Sequence, residues 1–161
     1  MKINRLLFNN PNYSLEGDID FTNENFTGGV IRKIASCHVK ISGSIFEDLL
    51  MLKVHIKANV VGICSYTLED VDYQINRQEN LEISNEIEDD DTIFYEKNNI
   101  FEIDPYVLSF IVSSMPSKLI KKGAKPPKSG ECYRVLTEDE YEKEKAETKD
   151  PRWAALDDIE L

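Results

Sequence analysis

The sequence predicts an α+β protein: an antiparallel β-rich body, either a sheet or a partly open barrel, with a covering helix and a helical C-terminal tail. Three observations lead there. Apolar and polar side chains alternate with period two through several runs between residues 37 and 83, the pattern of strands with one wet face. A helical period first appears after Asp104-Pro105. The chain has 161 residues, 41% of them hydrophobic, with seven Gly and six Pro. That is about one domain's worth and enough to bury a core without staples.

In chain order, Cys37, Val39, Ile41 and Ile45 alternate with His38, Lys40, Ser42 and Ser44. Leu50, Leu52, Val54, Ile56, Ala58 and Val60 repeat the pattern against Met51, Lys53, His55, Lys57 and Asn59. At Val60-Val61-Gly62 the parity changes, and a glycine at such a switch predicts a bulge or strong bend. Asp70–Asn76 forms a third alternating run, which Leu81 and Ile83 extend. Thr92-Ile93-Phe94-Tyr95 reads as a short strand. Alternation throughout favours antiparallel pairing.

Asp104 reads as an N-cap with Pro105 at the first helical position. Val107, Leu108, Phe110, Ile111 and Met115 then make an apolar stripe that ends at Pro116. The body therefore spans 1–117, with the covering helix over 104–115. Residues 118–136 form a lysine-rich loop broken by Gly123, Pro126, Pro127 and Gly130. A helical tail follows over 137–161, all within a single domain. Thr137 to Glu140 reads as a capping box ahead of an exposed charged helix. Asp150-Pro151-Arg152 opens a last short helix with Trp153, Leu156 and Ile159 on one face.

Charge is unevenly placed. The chain carries 19 Lys and Arg against 30 Asp and Glu, a net −11. Residues 69–104 hold two basic and thirteen acidic side chains and account for the whole imbalance. Within them Glu86, Glu88, Asp89, Asp90 and Asp91 form a self-repelling run, read as a solvated hairpin tip or loop. The sharper reading is an acidic surface that meets a basic protein, with Glu88, Asp89, Asp90 and Asp91 as candidate partner contacts. Lys118, Lys121, Lys122, Lys125 and Lys128 form the opposite feature, with no acid among them. The loop reads as a solvated linker, and these five lysines are its candidate contacts to phosphate, rRNA phosphate under the resemblance given below. With no arginine or interleaved aromatic, the loop lacks the means for bidentate recognition or base stacking.

Chemistry is sparse. His38 and His55 fall on the polar faces of predicted strands, and no nucleophile elbow, phosphate loop or dinucleotide fingerprint occurs. The acidic run lacks the spacing of a calcium loop, and Cys37, Cys64 and Cys132 are too scattered for a zinc site. The reading is a protein that is not an enzyme and has no cofactor. An odd cysteine count suits a reducing cytoplasm, and no stretch nears the roughly 18 apolar residues of a membrane span. The first residues, Met1 to Phe8, do not read as a secretory signal.

Four stretches in order carry a resemblance: Val60–Glu69, Phe101–Pro116, Lys128–Tyr141 and Asp150–Ile159, the last containing Asp-Pro-Arg-Trp-Ala-Ala-Leu. Together they resemble the YceD family, the bacterial and plastid large ribosomal RNA subunit accumulation proteins. The resemblance implies a role in 23S rRNA accumulation and large-subunit assembly, through a ribosomal protein or a pre-50S particle, with at most weak or indirect 23S rRNA contact. It implies no membrane and no DNA. Asp150, Pro151 and Arg152 match the terminal motif and are candidate partner contacts. Many relatives carry Cys-x-x-Cys where this chain has Cys64-Ser65-Tyr66-Thr67, and further cysteines where it has the lysine loop. Metal-linked behaviour of those relatives is therefore not expected here. The alternative function is an acidic module that sequesters a basic ribosomal protein.

Overall fold

The computed structural model describes residues 1–87 and 90–147. Its body is an open five-stranded sheet, not a closed barrel. The strands are β2 (Ser14–Asp18), β3 (Ile31–Phe46), β4 (Leu49–Ile63), β5 (Asp70–Ser84) and β6 (Ile93–Tyr95), side by side in that order. A separate antiparallel pair joins β1 (Lys2–Asn4) to β7 (Ile100–Glu102), with Ile3 opposite Phe101. A 3-10 turn follows β1 at Arg5–Asn9. Helix α1 spans Asp104–Ser114 and α2 spans Glu138–Glu147.

Alternation decides which face of the long strands is buried. Val39, Ile41, Leu50, Leu52, Val54 and Ile56 are at most 1% exposed, and Val107 and Ile111 of α1 close over the same core. The expected covering helix is thus in place. Its start differs, because Ile103 occupies the cap position and Asp104 lies in the first turn, where its carboxylate accepts from the Met1 ammonium. An acid there still complements the helix dipole. At the other end Met115 is extended, with ψ 136°, because the ring of Pro116 disfavours helical backbone in the residue before it.

Two further features depart from the sequence reading. The pairing is antiparallel except between β5 and β6, which run parallel, with Glu82 opposite Ile93. The acidic run lies in the connection between these two strands. The bend expected in β4 is absent: β4 stays in register with β5 from Leu50↔Ile83 to Ile63↔Asp70. The irregularities sit on the neighbouring β3, between Ile31 and Lys33 and between Ile34 and Ser36. Gly62 has another reason to lack a side chain. A Cβ there would lie 2.4 Å from Leu119 Cδ2 and 3.2 Å from the Val30 carbonyl oxygen. Parity changes because Val60 and Val61 are both buried at this end of β4.

Candidate functional site

The lysine loop has neither helix nor strand, as expected, but its first residues are stapled to the body. Leu119 is buried; its carbonyl accepts from Ser65 N at 2.7 Å, and its amide donates to Ser65 Oγ at 3.3 Å. Lys121 N donates to Cys64 Sγ at 3.4 Å. Two of the five lysines are already engaged. Lys118 Nζ lies 3.7 Å from Glu138 and 5.3 Å from the Tyr66 ring centre, and Lys121 Nζ lies 3.0 Å from Glu69. Lys122, Lys125 and Lys128 are exposed, with no ion pair among the described residues.

The turn that holds the loop is Cys64-Ser65-Tyr66-Thr67. Cys64 is closed to water, yet donors converge on its sulfur: the Lys121 amide first, then the Thr67 hydroxyl and the amides of Thr67 and Tyr66. They outweigh desolvation and lower the thiol to about 7. Cys37 is the opposite case, pushed up to about 12 by burial, reinforced by the charges of Asp104 and Asp18. Among the described residues no three His, Cys, Asp or Glu side chains gather as metal ligands.

The acidic candidates are only partly described. Asp90 accepts from the Thr92 amide at 2.9 Å and its hydroxyl at 2.7 Å, which hold its carboxyl below the usual range. Asp91 is exposed. Glu88 and Asp89 lie outside the described residues, as do Asp150, Pro151, Arg152 and the terminal stripe of Trp153, Leu156 and Ile159. Among the described residues the ion pairs of Lys118 and Lys121 go to Glu138 and Glu69, not to the acidic run.

A third surface emerges only when the strands are paired. On the open face of the sheet, Ser42, Lys53 and Asn80 form one cross-strand row, and Lys40, His55 and Gln78 the next. His38, Lys57 and Asn76 form the third, and Ser36, Asn59 and Gln74 the fourth. Across β3, β4 and β5 these rows contain three lysines, two histidines, five amides and two serines, with no carboxylate and no Phe, Tyr or Trp; on β2 they continue into Glu16 and Asp18. A shallow depression of about 340 Å³ runs over the third and fourth rows. His38 bridges toward the β2 edge, with Nδ1 2.7 Å from Asp18 and Nε2 3.0 Å from Glu16, and both carboxylates raise its pKa. His55 Nε2 lies 2.8 Å from Asn76 Oδ1. Both histidines were legible as wet strand residues. The lysines were legible too, as the polar half of each alternation, but nothing in the chain order says that β3 and β4 place them side by side.

On the other side of the sheet, a groove of about 440 Å³ separates the 25–31 segment from the end of α1. Phe26, Val30, Val112 and Met115 line it, and no titratable side chain does.

A family model described as large ribosomal RNA subunit accumulation protein YceD matches residues 52–160. No curated protein and no solved structure matches the chain. The matched region runs from β4 through α1, the lysine loop and α2 to the terminal motif, and it covers more than half of the sequence. The chain belongs to the YceD family, whose name ties it to accumulation of the large-subunit ribosomal RNA.

Proposed function

We propose that the protein is a non-catalytic factor in ribosome biogenesis, acting in the cytoplasm, that promotes 23S rRNA accumulation by binding a ribosomal protein or a pre-50S particle. The observation that carries this reading is the family match over residues 52–160. The distribution of charge agrees with it. A segment of net −11 suits a basic protein, while lysines elsewhere are left for phosphate. Depleting the protein lowers 23S relative to 16S rRNA, measured on total RNA; an unchanged ratio removes the proposal.

The acidic segment by itself favours a second reading, in which the protein holds a free basic ribosomal protein before assembly. Native co-purification separates the two. Large-subunit rRNA in the eluate supports the first, and a free ribosomal protein without rRNA supports the second.

A further inference from the structure

Three lysines of the body, Lys40, Lys53 and Lys57, share the open face of the sheet, away from the lysine loop. On β3, β4 and β5 its four rows carry three lysines and no acid within a chain of net −11; the acids of these rows stand at the β2 edge, Glu16 opposite Lys40 and Asp18 opposite His38. Lys53 and Lys57 are exposed and take part in no ion pair among the described residues. Lys40 is paired with Glu16 on the β2 edge at 3.6 Å, which leaves Lys53 and Lys57 as the unpaired lysines of the face among the described residues. With strands about 4.8 Å apart and about 3.3 Å per residue, the patch is roughly 20 Å along the strands and 10 Å across them. Lys53 and Lys57 stand about 13 Å apart on it.

Its chemistry selects among anions. Lysine is a point charge that meets phosphate without reading bases. Single strands are held by large aromatic platforms, and the only rings in these rows are imidazoles, His38 tied to Asp18 and Glu16 and His55 tied to Asn76. They carry instead a ladder of amides, Gln74, Asn76, Gln78 and Asn80 on β5 beside Asn59 on β4, whose groups both donate and accept. A surface of point charges and amides matches a duplex displaying phosphates and 2′-hydroxyls across a wide, shallow groove. Carboxylates frame the patch: Glu16 and Asp18 on β2, Asp72 and Glu82 at the two ends of the outer face of β5. With screening over about 8 Å, Glu16 and Asp18 act mainly on the neighbouring β3. Lys53 and Lys57 on β4 stand about 10 Å from them, so the β2 edge disfavours a polyanion and the β4 lysines are where it lies.

We propose that the open face of the sheet docks duplex RNA, with Lys53 and Lys57 on its phosphates and the amide ladder on its 2′-hydroxyls. This rests on the ribosome-biogenesis reading and names the surface that serves it. The test is fluorescence anisotropy of the full chain across a salt series. The probes are an RNA duplex of about 16 base pairs, the same sequence as duplex DNA, a single-stranded RNA and a polyglutamate peptide. The RNA duplex binds tightest. Lys53→Ala with Lys57→Ala weakens it about tenfold or more at low salt and lowers the salt slope by about two. Lys53→Arg with Lys57→Arg keeps binding within about threefold, which separates charge from folding. Replacing Lys122, Lys125 and Lys128 by Ala changes it less than the sheet pair does.

Equal affinity of wild type and the Lys53/Lys57 alanine variant overturns the proposal. So does equal binding of duplex DNA, no binding of duplex RNA by the wild type, or preference for the polyglutamate probe, which makes the face a site for an acidic protein. Sedimentation of the wild type with large-subunit precursors is read separately. If it co-sediments while the sheet variant binds RNA normally, only the surface assignment falls. If the wild type does not co-sediment, the biogenesis reading falls on its own.

Discussion

Arg5 and Cys64 show how single side chains depart from what composition implies. Arg5 is 5% exposed, and its Nη1 has no hydrogen-bond partner among the described residues. A buried guanidinium so poorly matched costs desolvation that its contacts do not return. Arg5→Met therefore leaves the melting temperature unchanged or raises it by a few degrees, about 2–4 °C for each kcal/mol gained. A fall of more than that on calorimetry refutes the argument. Cys64 makes a pH-dependent contribution. Its folded pKa of about 7 lies below the ordinary thiol value of 9.0, so the folded state favours the thiolate. That stabilisation is fully present above the unfolded pKa and is lost as pH falls through the folded one. Wild type thus gains stability over Cys64→Ser as pH rises from about 7 to about 9. Denaturant midpoints at a series of pH values show the divergence, and parallel curves deny it. None of this was visible in the chain order, where Cys64 was one of three scattered cysteines. The Lys121 amide that perturbs it lies 57 residues away.

At the scale of elements, local patterns were legible wherever the cause was local. The alternation of residues 37–83 became β3, β4 and β5 with the expected buried set. The capping box formed in both halves: Glu140 N donates to Thr137 Oγ1 at 3.2 Å, and Thr137 N donates to Glu140 Oε2 at 2.8 Å. Helix α2 exposes most of its side chains, so its stability rests on such end effects. Thr137→Ala costs α2 about 1 kcal/mol. Faster amide exchange over 138–147 with an unchanged global melting temperature is the expected outcome, and a global loss contradicts it. Elements with no local signature were missed. Strands β1, β2 and β7 are three to five residues long, too short for a period to register. The β3–β4 turn puts Glu47 and Asp48 at φ 47° and 64° without the glycine that usually announces such a hairpin. Gly62 marks a close approach rather than a bend. Gly62→Ala drives a methyl into Leu119 and destabilises by about 1–3 kcal/mol. Leu119→Ala in the same chain recovers part of that loss, so a double-mutant cycle yields coupling. Strict additivity in chemical denaturation shows that the loop is not held there.

For the molecule as a whole, the question is where charge of each sign ends up. The acidic segment places its run in the β5–β6 connection, while the lysines of β3 and β4 gather on one face of the sheet. The negative protein thus carries a lysine patch inside a rim of carboxylates, apart from the acidic run, and under the proposed function a polyanion and a basic protein need not compete for one surface. The class of fold, the buried face of the long strands, the covering helix and the family were all legible along the chain. These follow from side-chain period and residue order, which are properties of the chain read along its length. Only the tertiary structure decided that two of the five loop lysines are neutralised, that Thr67 and Lys121 together surround Cys64, and that Lys40, Lys53 and Lys57 share one patch. Such facts depend on register, and register is set by the joint burial of several strands: a slip of one residue would have turned the same lysines to the other side.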